Sequence, residues 1–201
     1  MNMITLAMDS AYKNLVIGLY EDGRLIDGIA FEAFKKQSET IFVELEKLLK
    51  NNQLDYKDID RIVITDGPGS YTGIRIAMTI AKVLSTQMGQ ELCCISTMQL
   101  YAGASGSANV ILDARSKRAY VAHIEDGEII GQTKILGVEE LDQFLKDNPG
   151  TVYGDADLAG MESGPVDFLK NFIELEPMYR SIKNKHTLAP QYLKESDAYK
   201  A

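Results

Sequence analysis

Short apolar runs bounded by turn residues mark strands along this chain, and apolar positions three and four apart mark helices. The run Arg-Ile-Val-Ile-Thr at 61–65 reads as a strand, and residues 72–88 after it read as a long helix. Ile41, Phe42, Leu45, Leu48 and Leu49 recur at helical spacing over residues 38–50. Ser38 is the expected N-cap of that helix, with an acid in the first turn. Val138, Leu141, Phe144 and Leu145 put a similar face on residues 138–146. Residues 151–153 read as a strand and 166–173 as a short helix.

The pattern also repeats. A shift of 104 positions lays residues 9–28 over 113–132, with identities at Asp9/Asp113, Lys13/Lys117, Glu21/Glu125, Asp22/Asp126, Gly23/Gly127 and Ile26/Ile130. In each copy an apolar strand ends at an aspartate, a second strand runs into Glu-Asp-Gly, and a third leaves it. The glycine supplies a positive φ to a hairpin turn. Helical pattern follows both copies, so two related α/β lobes are expected, residues 1–104 and a smaller 105–201 with a tail. The small-residue stretch Gly-Ala-Ser-Gly-Ser at 103–107 is a natural link between them.

Residues 66–75, Asp-Gly-Pro-Gly-Ser-Tyr-Thr-Gly-Ile-Arg, make a glycine-lined corner between the strand at 61–65 and the long helix. Such a corner aims backbone N–H groups and the positive end of a helix dipole at whatever lies above it. A P-loop requires Lys-Ser/Thr after its last glycine, and Ile74 and Arg75 stand there instead. The dinucleotide fingerprint fails as well, because Gly67, Gly69 and Gly73 are spaced one residue too long and Pro68 removes a donor. A tight turn without a ligand remains the alternative.

Charge and rare residues narrow the classes further. Lysine and arginine total 21 against 29 acids, a net charge of -8. That balance opposes unaided RNA binding, which needs a cationic footprint. Arg180, Lys183, Lys185 and Lys194 form a local basic exception, open to a solvated tail or an RNA contact. The chain lacks an apolar run long enough to span a membrane, and Asp9 interrupts the N-terminal apolar stretch, so a cytoplasmic protein is expected. Cys93 and Cys94 are adjacent and read as buried reduced thiols on a strand. His123, in a strand-like run, and His186, in a polar tail expected to be exposed, are too far apart in sequence to suggest a metal pair. Ser10, Ser70 and Ser96 have no evident base nearby. We pick no catalytic residue, cofactor or metal ligand from the sequence.

The helix at 72–88 carries more apolar surface than one sheet requires. At about 100° per residue its apolar side chains spread over roughly 220°, whereas packing on a sheet uses a stripe little wider than about 100°. Ala77, Ala81 and Ser85 recur every four residues and permit close approach of a second helix. Either the neighbouring helix at 38–50 covers the surplus, or another subunit does.

The segment Gly67-Pro-Gly-Ser-Tyr-Thr-Gly-Ile-Arg75, followed by residues 77–84 and by Ile95-Ser-Thr97, resembles the signature of the TsaB (YeaZ) family of bacterial tRNA threonylcarbamoyladenosine biosynthesis proteins. Ala7-Met-Asp-Ser10, Leu112-Asp-Ala-Arg115 and Pro190-Gln-Tyr-Leu193 extend the likeness over most of the chain, residues 150–185 excepted. The resemblance implies a duplicated actin, sugar kinase and Hsp70-like (ribonuclease H-like) fold of two lobes. In catalytic members of that class the hairpin after the first strand cradles nucleotide phosphates. Here Asp9 with Ser10, and Asp113 with Arg115, hold the corresponding places, and any nucleotide site is expected to be vestigial.

The related TsaD family presents two histidines four residues apart on its first long helix, a metal-binding spacing. The matching stretch here, residues 35–50, begins Lys-Lys-Gln-Ser-Glu and contains no histidine. The resemblance therefore implies a non-catalytic subunit that pairs with TsaD through the first two helices of the N-terminal lobe, and with itself through the same surface in isolation. Ile76, Ala77, Ile80, Ala81, Val83 and Leu84 are the candidate partner-binding residues. The implied reaction is transfer of threonylcarbamoyl from its adenylate to the adenosine beside the anticodon, carried out by TsaD, with the ATPase TsaE joining and tRNA reached only through the complex. A metal-independent peptidase and a small-molecule kinase or ATPase of the same fold are the alternatives.

Overall fold

The computed structural model describes residues 2–33 and 36–193. The first repeat begins with β1 (Ile4–Asp9), β2 (Asn14–Glu21) and β3 (Arg24–Glu32), and α1 (Gln37–Asn51) follows. Then come β4 (Arg61–Thr65), α2 (Tyr71–Met88), β5 (Glu91–Ile95) and a short α3 (Thr97–Ala102). The second repeat opens with β6 (Ser107–Arg115), β7 (Arg118–Glu125) and β8 (Glu128–Ile129). It continues through β9 (Lys134–Gly137), α4 (Leu141–Asp147), β10 (Thr151–Gly154), α5 (Phe168–Glu174) and β11 (Arg180–Ser181). This is a duplicated α/β architecture, built on two sheets.

The first sheet runs β11-β5-β4-β1-β2-β3, and the second β10-β6-β7-β8 with β9 also on β7. In both, an antiparallel hairpin joins a parallel strand: β1 pairs antiparallel with β2 and parallel with β4, as β6 does with β7 and β10. The Glu-Asp-Gly turns match, with Asp22 and Gly23, and Asp126 and Gly127, all at positive φ. The repeat is unequal in its third strand. β3 has nine residues and β8 has two.

Alternation along the strands sorts the core into three layers. Leu6, Leu15, Ile17, Ile62, Ile64 and Leu92 point to the side covered by α1 and α2. Ala7, Val16, Val63 and Ile95 point the other way, where with α3, α5, Val110 and Leu112 they fill the space between the sheets. Ile111, Val121 and Val152 face outward under α4.

Two expectations about helix ends change. Ser38 does not cap α1; the helix starts at Gln37, with Lys36 at the cap and no side-chain cap bond. Gln37 is buried and its amide donates to the Tyr12 carbonyl at 2.7 Å, so a tertiary contact draws it into the first turn and leaves Ser38 inside the helix. Lys35 lies outside the described residues. The helix expected at 138–146 is a 3-10 turn, Val138–Glu140, followed by α4. The strand at 151–153 and the helix near 166–173 are present as β10 and α5.

Candidate functional site

The glycine-lined corner is filled by the chain itself. β4 ends at Thr65, the Gly67–Pro68 peptide is cis, and Ser70 caps α2 by accepting from the Gly73 N–H at 3.3 Å. Into this corner packs the loop after β1. Ser70 donates its N–H to the Ala11 carbonyl at 2.7 Å. The Ser10 hydroxyl donates to the Gly73 carbonyl at 2.7 Å and accepts from the Ala77 N–H at 3.2 Å, bridging one turn of the helix ladder. A Cβ at Gly69 would lie 2.3 Å from the Ala11 carbonyl oxygen, and one at Gly73 would lie 2.3 Å from that of Ser10. Close backbone approach accounts for both glycines. Ser96 in turn donates to the Gly67 carbonyl at 3.0 Å and caps α3. The hydroxyls of Ser10, Ser70 and Ser96 are thus all engaged in holding the backbone.

Two buried carboxylates flank the corner. Asp9 receives the Thr65 hydroxyl and, at 3.0 Å, the Ala11 N–H on one oxygen; its other oxygen has no hydrogen-bond partner among the described residues. Burial raises this carboxyl to about 6. Asp66 accepts from Arg180 at 2.7 Å and Gln191 at 3.0 Å, yet burial outweighs the nearby guanidinium and leaves its pKa raised.

Arg180 and Gln191 belong to a strap rather than a solvated tail. β11 pairs with β5, the Lys185 ammonium donates to the carbonyls of Ser85 and Gln90 at the end of α2, and Lys82 reaches the carbonyls of His186 and Leu188. Tyr192 stacks on Tyr71 with centroids 5.3 Å apart. Half of the basic exception is therefore consumed internally: Arg180 by Asp66 and Lys185 by backbone carbonyls. Lys183 is exposed and Lys194 lies outside the described residues.

The strap, the sheet and α1 together cover much of the apolar arc of α2. Ala77, Ile80 and Ala81 are buried within the chain, and Ile76 and Leu84 are half-buried against the same core. Val83 is 55% exposed. Along the solvent side, Thr72, Ile76, Thr79, Val83 and Thr86 follow one another at intervals of four and three residues, an uncharged seam of the spacing used for helix pairing. On α1, in contact with α2, Phe42 and Val43 are exposed. Of the six candidate partner-binding residues, Val83, Ile76 and Leu84 retain a solvent-accessible surface, and the other three lie beneath them.

Between the sheets a cleft of about 390 Å³ is lined by Tyr12, Lys13, Ser70, Tyr71, Asp113 and Arg115, among others. At its wall the Asp155 carboxylate receives the Tyr12 hydroxyl, the Lys13 ammonium and, at 2.8 Å, the Asp113 N–H. Burial opposes the charge on Lys13, but Asp155 outweighs it and holds the ammonium above its usual pKa. Burial, reinforced by Asp155, pushes the Tyr12 hydroxyl up as well. Sequence reading missed Asp155, which meets Tyr12 and Lys13 across more than 140 positions and carries no local signal.

No group of three or more His, Cys, Asp or Glu able to hold a metal ion occurs among the described residues. His123 is buried, with ring nitrogens 3.0 Å from the Asn109 side-chain oxygen and 3.3 Å from the Glu125 carboxylate, and His186 is exposed. Cys93 and Cys94 are free and buried on β5, and burial pushes both thiols up to about 12. Among the described residues no helix is long and apolar enough to cross a membrane.

Residues 30–154 match the family model described as TsaD, tRNA N6-adenosine threonylcarbamoyltransferase. The tRNA threonylcarbamoyladenosine biosynthesis protein TsaB of Bacillus subtilis (strain 168) is 30% identical over 122 residues, 59% of this chain and 53% of that one. A tRNA N6-adenosine threonylcarbamoyltransferase of Clostridium kluyveri is 28% identical over 133 residues, 66% of this chain and 37% of that one. The chain thus spans about half the length, or less, of these relatives. A solved Pseudomonas aeruginosa structure, described as an uncharacterized protein with similarity to peptidase YEAZ, superposes with a TM-score of 0.79 at 16% identity, covering 96% of this chain and all of that one.

Proposed function

Since the chain belongs to the family of the TsaD-type model, and within it to the TsaB (YeaZ) proteins, we propose that it acts in threonylcarbamoyladenosine formation on tRNA as a non-catalytic subunit supporting a TsaD-like transferase. The observation that carries this reading is the exposed seam of α2 beside Phe42 and Val43 of α1, an uncharged surface on a chain of net charge -8. Surfaces poor in charge and rimmed by polar groups are where subunits meet. In this reading the N-terminal lobe, residues 1–104, presents the face, and the strap of the smaller lobe and tail, residues 105–201, is fastened beside α2.

In the same reading the TsaD-like subunit and a second copy of this chain compete for the face, so the chain is a homodimer in isolation. A TsaE-like ATPase joins the assembly, tRNA is reached only through it, and the setting is the cytoplasm. The chemistry resides in the partner, and this chain brings no cofactor. The engagement of the Ser10, Ser70 and Ser96 hydroxyls leaves the peptidase alternative without a supporting observation.

The test is affinity for the TsaD-like subunit, measured by calorimetry, together with tRNA modification by that subunit with and without this chain. Val83→Asp should weaken binding by at least about a hundredfold, because it places a carboxylate in a desolvated contact, while the circular dichroism and melting of the free chain stay unchanged. Undiminished binding by that variant, or modification that proceeds equally well without this chain, overturns the reading.

A further inference from the structure

The contacts of Asp155 have the composition of an anion-binding site rather than of a surface ion pair. Its two oxygens are met by three donors from two different sheets. The Tyr12 hydroxyl and the Lys13 ammonium come from the loop between β1 and β2, and the Asp113 N–H comes from β6. Asp155 itself is 8% exposed and is fixed from behind by its own N–H, which donates to the Ile111 carbonyl at 2.7 Å. The Tyr12 ring is held edge-on against Tyr101, and its oxygen lies 3.0 Å from the Asp113 N–H, so the donors are placed by packing and not only by the carboxylate. A hydroxyl, an ammonium and a backbone N–H converging on two oxygens are a strong recognition set for a carboxylate. The adjoining cleft, lined by Tyr12, Lys13 and Asp113, opens a route to it from solvent.

We propose that this is a carboxylate site whose occupant is the chain's own Asp155 side chain, which clasps the two sheets together and keeps small carboxylates from solution out. A free carboxylate then binds only where that side chain has been removed, and it restores the clasp when it does. The inference concerns the inside of this chain and does not depend on which partner, if any, binds α1 and α2.

The test uses Asp155→Ala and Asp155→Asn in the full chain, with melting followed in about 100 mM acetate and in the same concentration of chloride. The alanine variant should melt roughly 5–10 °C below the parent in chloride and regain several degrees in acetate. The parent and the asparagine variant, whose own side chains fill the space, should melt alike in the two salts. Adding Lys13→Met to the alanine variant should abolish the acetate effect. Where the alanine variant folds only on refolding, the same comparison is read as refolding yield. Acetate that stabilises all forms equally, that leaves the alanine variant unimproved, or that still acts in the double variant overturns the proposal.

Discussion

Asp9 offers a test of the buried corner that can be worked from its surroundings. The carboxyl ends β1 with no exposed surface; one oxygen accepts from Thr65 and Ala11, and the other is without a partner among the described residues. Burial raises its pKa from 3.8 to about 6. Between those values the folded state binds more protons than the unfolded state, so stability falls as pH rises through the window. The contribution of the protonated acid is complete below the unfolded value and is lost above the folded one. Two pK units correspond to about 3 kcal/mol. Asp9→Asn removes the titration while keeping an oxygen for Thr65 and Ala11. Urea unfolding of both forms from about pH 4 to pH 7.5 should show the parent losing about 3 kcal/mol relative to the variant, with the change centred between pH 4 and 6. Taking the difference cancels the titration of every other group. A difference that stays flat across this range, or that favours the parent as pH rises, would refute the assignment of a desolvated carboxyl.

Gly73→Ala should destabilise by about 1–3 kcal/mol in urea unfolding, because the new Cβ meets the Ser10 carbonyl at 2.3 Å. At an unobstructed helix position the same change would stabilise by about 1 kcal/mol, so the sign alone decides. Ile80→Asp should unfold the chain, since Ile80 is buried, whereas Val83→Asp should not; circular dichroism of the two separates core from surface on α2. Arg180→Ala should cost about 2 kcal/mol by leaving the Asp66 carboxylate with only Gln191 as a side-chain donor, and should speed amide exchange along β5. Unaltered exchange there would mean that the strap is not anchored by this pair.

Local pattern carried the parts of the fold that local forces decide. The paired Glu-Asp-Gly turns and the strand-corner-helix at 61–88 were legible because turn geometry and apolar period are written in neighbouring residues. The failures are all tertiary. Ser38 has the chemistry of a cap, but the Gln37 amide found the Tyr12 carbonyl 25 positions away and moved the helix start. The breadth of the apolar arc on α2 was legible, while part of its cover was not: the strap, fastened by Lys82 and Lys185, lies beside α2. Among the six candidate partner-binding residues, Ala77, Ile80 and Ala81 are buried within the chain and Val83 is the most exposed. Asp155 was illegible because its side-chain partners, Tyr12 and Lys13, come from the other sheet.

Because β11 forms the outer edge of the first sheet, that sheet is closed by a segment that follows the whole of the second one in the chain. On a ribosome, everything from β1 to β5 can emerge and pair while β5 still has a bare side and Asp66 still lacks its guanidinium. The N-terminal lobe therefore reaches its final form only after its neighbour has been synthesised. A nascent chain halted before residue 180 should be far more open to proteases at β5 than its length alone would suggest.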